Sequence, residues 1–392
     1  MIEISNLRKY RVEEGIVRLE VDINFLGGNP YPVKTMYFDS REDCGDMFSE
    51  DTYDAFVLVP LFLAMYNKIP LKICGKISKK FYKNLTWYAQ KILCDFLDKL
   101  APVDIFVEGF APTKSEGYLI GAPLSCGVDS LSTVYDRYIN ENDPDYKINA
   151  LFIFNNGTHG SLSEPVTKKF FQSRIERVAR AANELRLPLL VINSNLDKFC
   201  YDNDLVDIAF LINYSCVLSL QNAIRRYYVP GAYSYQDIKE FGRKPHDYDL
   251  AAFCDSYFVP LIQTERTEFI IDGCQYRRVD KVKRIADWEI AQKYLNVCCK
   301  CIRENSDNCG ECDKCERTLL TLDILGKLNN FSEVFDLDKY RRDSFNIKIK
   351  TVHYIDKNAL YKENFDLAVE MNFPMPTKRE CFVLDKNILV VK

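Results

Sequence analysis

The 392-residue sequence has no strong charge excess: 52 Lys and Arg stand against 56 Asp and Glu, a formal net charge of −4. Nucleic-acid binders usually carry a clear positive balance, so bulk charge disfavours tRNA or DNA as a main partner, although a local basic patch escapes that argument. The opening Met1-Ile2-Glu3-Ile4 has neither the basic start nor the apolar core of a signal peptide. Long hydrophobic runs are missing too. The best candidate, Leu205 to Ile224, is interrupted by Asp207, Asn213, Gln221 and Asn222, which is costly in lipid and ordinary for a helix buried in protein. These absences lead us to expect a cytoplasmic protein that does not enter a membrane. Histidine is scarce, with three in the chain. His159 and His246 are candidate acid–base groups in polar loops, with a bystander role the plainer reading of each. There is no internal repeat and no low-complexity linker.

Cysteine, by contrast, is plentiful. Of fifteen, Cys298, Cys299, Cys301, Cys309, Cys312 and Cys315 are crowded together, while the others are isolated in mostly apolar surroundings. Without a secretion signal, such crowding points to metal binding rather than disulfides. Cys309, Cys312 and Cys315 recur every three residues and cannot all share one regular helix face. A turn at Gly310 leading into a helix would converge them, with a fourth sulfur from Cys298, Cys299 or Cys301. Four thiolates suit a structural zinc ion; the ligands alone also suit an iron–sulfur cluster.

The pattern divides the chain into residues 1–113, 117–328 and 329–392. In the first part, Val17, Leu19, Val21, Ile23 and Phe25 alternate with polar residues as in a half-buried strand. Helices are expected over Tyr53–Tyr66 and Lys79–Leu100, with short strands at Leu71–Cys74 and Asp104–Glu108. This makes a small α+β domain. From Gly117 the order becomes strand, loop, helix, repeated. Strands are expected at Tyr118–Leu124, Ile148–Phe154, Leu189–Ile192, Tyr227–Val229 and Phe269–Ile271, and helices at Glu164–Leu185, Leu205–Arg226 and Leu319–Leu328. Such alternation predicts an α/β domain with a parallel sheet, whose ligands bind at the carboxyl ends of its strands. The last part is charged and mixed, ending in a strand-like Cys381–Val391.

Ser125-Cys126-Gly127-Val128-Asp129-Ser130 falls between the first of those strands and a helix start. A helix N-terminus offers unpaired N–H groups and partial positive charge to a phosphate. Gly127 permits close approach and positive φ. Ser125 and Ser130 offer hydroxyls, and Asp129 can cap the helix or hold magnesium. The bland alternative is a helix-capping turn. The loop is neither a Walker A sequence nor a dinucleotide fingerprint. Asn155 and Asn193 follow the next two strands; their loops would contact adenine or ribose, or simply turn the chain. Asp272 to Lys281 gathers cations after another strand, either for a ligand or as a solvated helix face.

The loop resembles the SGGxDS loop of the PP-loop, or N-type, ATP pyrophosphatases. Ser125, Gly127, Asp129 and Ser130 match it, while Cys126 replaces the first glycine. A Cys, a spacer and Cys-x-x-Cys-x-x-Cys near the end of the domain is similar to the 7-cyano-7-deazaguanine synthase family, whose four cysteines bind zinc. Cys298 is the favoured fourth ligand, with Cys301 second, and the resemblance covers about residues 117–328. It implies a PP-loop fold with a zinc knot, ATP and Mg2+ bound over Ser125–Ser130, and Lys281 facing the nucleotide phosphates. It also implies adenylation of a carboxylate or amide substrate with loss of pyrophosphate, followed by attack of a nitrogen nucleophile. The extra N-terminal part suggests a different small-molecule, protein or peptide substrate, and a homodimer is the expected assembly. The rival expectations are a tRNA sulfur-transfer enzyme of the same superfamily and a non-catalytic nucleotide-binding subunit.

Overall fold

The computed structural model describes residues 1–28, 33–112, 117–158, 162, 164–199, 209–241, 250–298, 308–377 and 380. Ten strands form one sheet: β1 Ile2–Glu13, β2 Ile16–Phe25, β3 Thr35–Arg41, β4 Leu71–Ile77, β5 Ile105–Phe110, β6 Leu119–Pro123, β7 Ala150–Asn155, β8 Leu189–Ser194, β9 Ile224–Pro230 and β10 Glu268–Asp272. Their order is β10-β9-β6-β7-β8-β3-β2-β1-β4-β5. Within β10-β9-β6-β7-β8 every pairing is parallel. An antiparallel β8–β3 contact joins these to β3-β2-β1, which are antiparallel, and β1-β4-β5 are parallel again. The protein is therefore α/β with a mostly parallel sheet. Strands that precede residue 113 and strands that follow residue 117, on either side of the change in sequence pattern, share this one sheet through the β3–β8 pairing.

The helices are α1 Leu58–Asn67, α2 Lys79–Asn84, α3 Gln90–Phe96, α4 Val128–Val134, α5 Pro165–Leu185, α6 Ala209–Ser219, α7 Tyr235–Phe241, α8 Leu250–Phe258, α9 Arg278–Ile285, α10 Glu289–Tyr294, α11 Asp313–Ile324, α12 Leu337–Tyr354 and α13 Ala359–Glu370. Among the described residues, no helix is long and apolar enough to cross a membrane. One core joins the inward faces of β1–β4 to α1, α6 and the loop around Phe56, and reaches Phe152, Tyr227 and Phe269. A second core lies on the opposite face of β6–β8, where Ile120, Ala122, Leu151 and Ile153 meet α4, α5, α9, α10 and α11. The central strands are thus buried on both faces, which is why they read as continuous apolar runs, whereas β2 alternates. Gly121 is required in β6, because a Cβ there would come within 2.3 Å of the Phe152 ring.

Three expectations need correction. The apolar stretch ending at Arg226 is not one helix: α6 stops at Ser219 and Ile224–Pro230 is strand β9. Its β-branched and aromatic Ile224, Tyr227, Tyr228 and Val229 fit a two-sided buried strand. The charged part after residue 328 is helical, in α12 and α13. Strands β1 and β3 were not anticipated at all. Cys381–Val391 lies outside the described residues.

Candidate nucleotide cleft and cysteine cluster

Strand β6 is the sheet's switch point: β7 and β8 follow on one side of it, β9 and β10 on the other. A crevice opens at the carboxyl end of such a strand, because the flanking connections leave in opposite directions. Residues 124–127 form the turn there, and Val128 starts α4.

The turn is held by its own polar groups. The Ser130 hydroxyl donates to the Gly127 carbonyl at 3.1 Å and accepts from the Ser125 amide at 3.3 Å. The Ser125 hydroxyl lies 3.1 Å from that of Ser130 and accepts from the Gly127 amide at 3.2 Å. Gly127 has φ −78°, so it does not supply the left-handed backbone expected of it. Cys126 does, with φ +59°, and its side chain is fully buried. The residue that departs from the glycine-rich pattern therefore occupies the one position of the turn that favours glycine.

Asp129, in the first turn of α4, is bound by Arg278 and by Lys281, whose Nζ lies 3.1 Å from the carboxylate. Burial alone would raise its pKa; Arg278 and Lys281 override that and hold it below the usual carboxylate value. Lys281 is only 1% exposed and also donates to the Gly231 carbonyl at 2.5 Å. It is an internal clamp between the loop after β9 and the first turn of α4.

A cleft of about 450 Å³ opens beside the turn, lined by Ser125, Gly127, Asp129, Thr158, Phe170, Arg174, Arg278, Asn296, Val297, Cys298 and Lys314. Three cations face one carboxylate there, and that carboxylate is already paired. Asn155 and Asn193 stand side by side at the ends of β7 and β8 and bond to each other at 2.9 Å. They are outside the cleft lining; Thr158, three residues beyond Asn155, is part of it. His159, His246, Cys299 and Cys301 lie outside the described residues.

The far wall is the cysteine cluster. The sulfurs of Cys298, Cys309, Cys312 and Cys315 all lie within 4.8 Å of one another. Cys309–Cys315 and Cys298–Cys312 are each 3.9 Å apart. A tetrahedral site with Zn–S near 2.3 Å requires S···S near about 3.8 Å, so these two pairs already have the spacing of zinc ligands. Cys312 and burial push the Cys315 thiol far above its usual value, and burial raises Cys309. A cation at the centre is what would let these sulfurs ionise together.

Local structure explains the convergence. Gly310, at φ +75°, turns the chain between Cys309 and Cys312, and Cys312 is the N-cap of α11. Buried Asn308 ties in Cys298: its Oδ1 accepts from the amides of Val297 at 2.7 Å and Cys298 at 3.2 Å. Its Nδ2 donates to the Leu295 and Val334 carbonyls. From α12, Lys339 bonds the Cys309 carbonyl at 3.0 Å and Glu311 at 2.8 Å. Between cluster and turn, the Asn296 amide donates to the Cys126 carbonyl at 2.8 Å. The segment that delivers Cys298 thus also props the turn.

Sequence reasoning singled out the loop and the four cysteines but missed Arg174, Arg278, Lys314, Asn296 and Asn308. Lys314 stands inside the Cys-x-x-Cys-x-x-Cys run, and Arg278 inside the cationic run from which Lys281 was chosen. Arg174 sits among other charges of a long amphipathic helix, with nothing local to mark it. No protein family, curated protein or solved structure compared with the chain matches it.

Proposed function

We propose that the protein is an ATP-dependent adenylating enzyme, with the nucleotide's phosphates over Ser125–Ser130. A carboxylate or amide oxygen of the acceptor attacks the α-phosphorus, the bond from that phosphorus to the bridging oxygen breaks, and pyrophosphate leaves. A nitrogen nucleophile then displaces AMP from the activated acceptor, as in the 7-cyano-7-deazaguanine synthase family that the loop and cysteines resemble. The observation that carries this reading is the turn's position, at the carboxyl end of the switch-point strand and facing a cationic cleft.

Each group has a task in this scheme. Backbone amides at the start of α4 and the Ser125 hydroxyl bind phosphate oxygens. Arg174, Arg278 and Lys314 offset charge on the departing pyrophosphate. Lys281 acts through Asp129, holding the carboxylate that orients Arg278. Asp129 already carries two cations, so its present geometry does not fit Mg2+. Zinc in the cysteine cluster is structural, fixing the wall formed by residues 296–298. The sulfur-transfer alternative needs a reactive thiol, but burial pushes Cys126 up to about 12 and Cys274 up to about 11. Neither would be a thiolate at neutral pH.

Incubation with ATP, Mg2+ and a panel of carboxylic acids, followed by quantification of AMP and pyrophosphate, tests the proposal. Acceptor-dependent formation of both in equal amounts, abolished in Asp129→Asn, is the expected result. Nucleotide binding with no turnover for any acceptor would favour a non-catalytic subunit.

A further inference from the structure

Helix α13, in the last part of the chain, reaches the cleft through one buried carboxyl. Glu363 is 4% exposed, and its Oε2 accepts at 3.2 Å from the amide of Val279, in the first turn of α9. That turn carries Arg278, which binds Asp129 and lines the cleft, and Lys281 follows on the same helix. Glu363 Oε1 is buried with no hydrogen-bond donor. Within hydrogen-bond reach of this carboxyl lies Asp237 of α7, itself 6% exposed. Leu360, one turn before Glu363, packs on the apolar cluster that contains Tyr233 and Ile238, so α13 and α7 are in contact here.

Two carboxyls buried together do not both ionise readily, and one proton between them is the stable arrangement. Asp237 Oδ2 accepts from the Ser234 amide at 2.9 Å and from the Ser234 hydroxyl at 2.6 Å. That is the role of a carboxylate, so the shared proton falls to Glu363, whose Oε1 has no donor of its own. Burial, and then Asp237, accordingly raise the Glu363 carboxyl to about 8. The cations on these elements are committed elsewhere: Arg277 to Asp280 and Glu370, Arg278 to Asp129, Lys362 to Asp366. Lys239 and Glu240 of α7 are exposed, and Arg317 of α11 stands over the Tyr361 ring.

We propose that Glu363 and Asp237 form a proton-sharing latch through which the last part of the chain positions Arg278 for the nucleotide's phosphates. Glu363 is a positioning residue, acting through the first turn of α9. When the shared proton leaves to water, two negative charges remain in one buried space. They separate, and α13 releases that turn. The consequence for the nucleotide rests on the adenylation reading, whereas the latch itself does not.

Hydrogen exchange of the full-length, zinc-loaded protein, corrected for the intrinsic pH dependence of exchange, tests the latch. Calorimetric titration with α,β-methylene ATP tests its consequence, both from about pH 7 to about pH 9.5. Amides of residues 279–282 should lose protection as pH rises through about 8. Nucleotide affinity should fall about tenfold over the same range, as when a charged hydrogen bond is lost. Glu363→Gln keeps the hydrogen bonds of the protonated carboxyl and cannot ionise, so it should level both profiles. Asp237→Asn can donate to an ionised Glu363 and should level them too; it decides if melting temperature and zinc content show that Glu363→Gln is unfolded. Glu363→Ala should weaken nucleotide binding across the whole range. A level exchange profile in the parent, or a loss of protection that persists in either folded variant, overturns the latch. Affinity that stays level while protection is lost overturns the positioning of Arg278. The expected exchange profile with no nucleotide binding at any pH would sink the adenylation reading and leave the latch standing.

Discussion

Replacing Cys126 by glycine and by alanine isolates the backbone of the turn between β6 and α4. Residue 126 is fully buried at φ +59°. A left-handed backbone costs an L-residue about 1–2 kcal/mol, and glycine is free of that cost. Both variants lose the same sulfur from the core, so the alanine-to-glycine difference reports the strain. Cys216, equally buried within α6, is the reference position. In a helix, alanine is more stable than glycine by about 0.8–1 kcal/mol. At residue 126 that order should be levelled or inverted, a shift of about 1–2 kcal/mol between the two positions. Differential scanning calorimetry of the four zinc-loaded variants, with reversibility established, reads the shift. Cys126→Gly should also keep nucleotide affinity, because the Asn296 amide still meets the carbonyl of residue 126. The same alanine-over-glycine margin at both positions would refute the strained turn, and with it the argument that this turn is built on the glycine-rich pattern.

The metal gives a second expectation: elemental analysis should find one zinc per chain, and Cys312→Ser should lose it, with a lower melting temperature and weaker ATP binding transmitted through Asn296. Asp129→Ala strips the buried Lys281 of its anion and should destabilise by about 3–5 kcal/mol, whereas Asp129→Asn should be milder, by denaturant titration. Burial, with Asp237 nearby, raises the buried Glu363 carboxyl from the ordinary glutamate range to about 8. The folded protein then holds a proton that the unfolded chain releases, so this group's contribution is full below about 4.5 and is lost as pH rises to about 8. Melting temperatures at pH 5 and pH 8 should therefore converge in Glu363→Gln, and an unchanged gap would contradict that assignment.

The parts of this architecture that were legible in the sequence have local causes. Alternation in β2, the two-sided apolar runs of β7 and the three-residue spacing of cysteines each follow from one element's own geometry. Cys298 was a choice among three sulfurs, and the structure brings that one to the cluster because Asn308 clips its amide. What was illegible depends on distant partners. Strand β3 is defined by pairing with both β2 and β8, and no pattern within Thr35–Arg41 announces that. The left-handed residue of the turn was misplaced by one because glycine usually takes that conformation, and here a buried cysteine does. Arg278 outranks Lys281 at the cleft for a similar reason. Helix α9 points one side chain into the cleft and draws the other inward to Gly231, a difference that only packing decides.

A crystal structure of the zinc-loaded protein with α,β-methylene ATP bound addresses the adenylation account most directly. The account predicts the β- and γ-phosphates on the backbone amides of residues 127–130, with Arg278 and Lys314 in contact with them and the α-phosphorus open toward the cleft. A nucleotide bound away from the end of β6, or a turn that stays closed on its own Ser125 and Ser130 hydrogen bonds with no phosphate upon it, would contradict it.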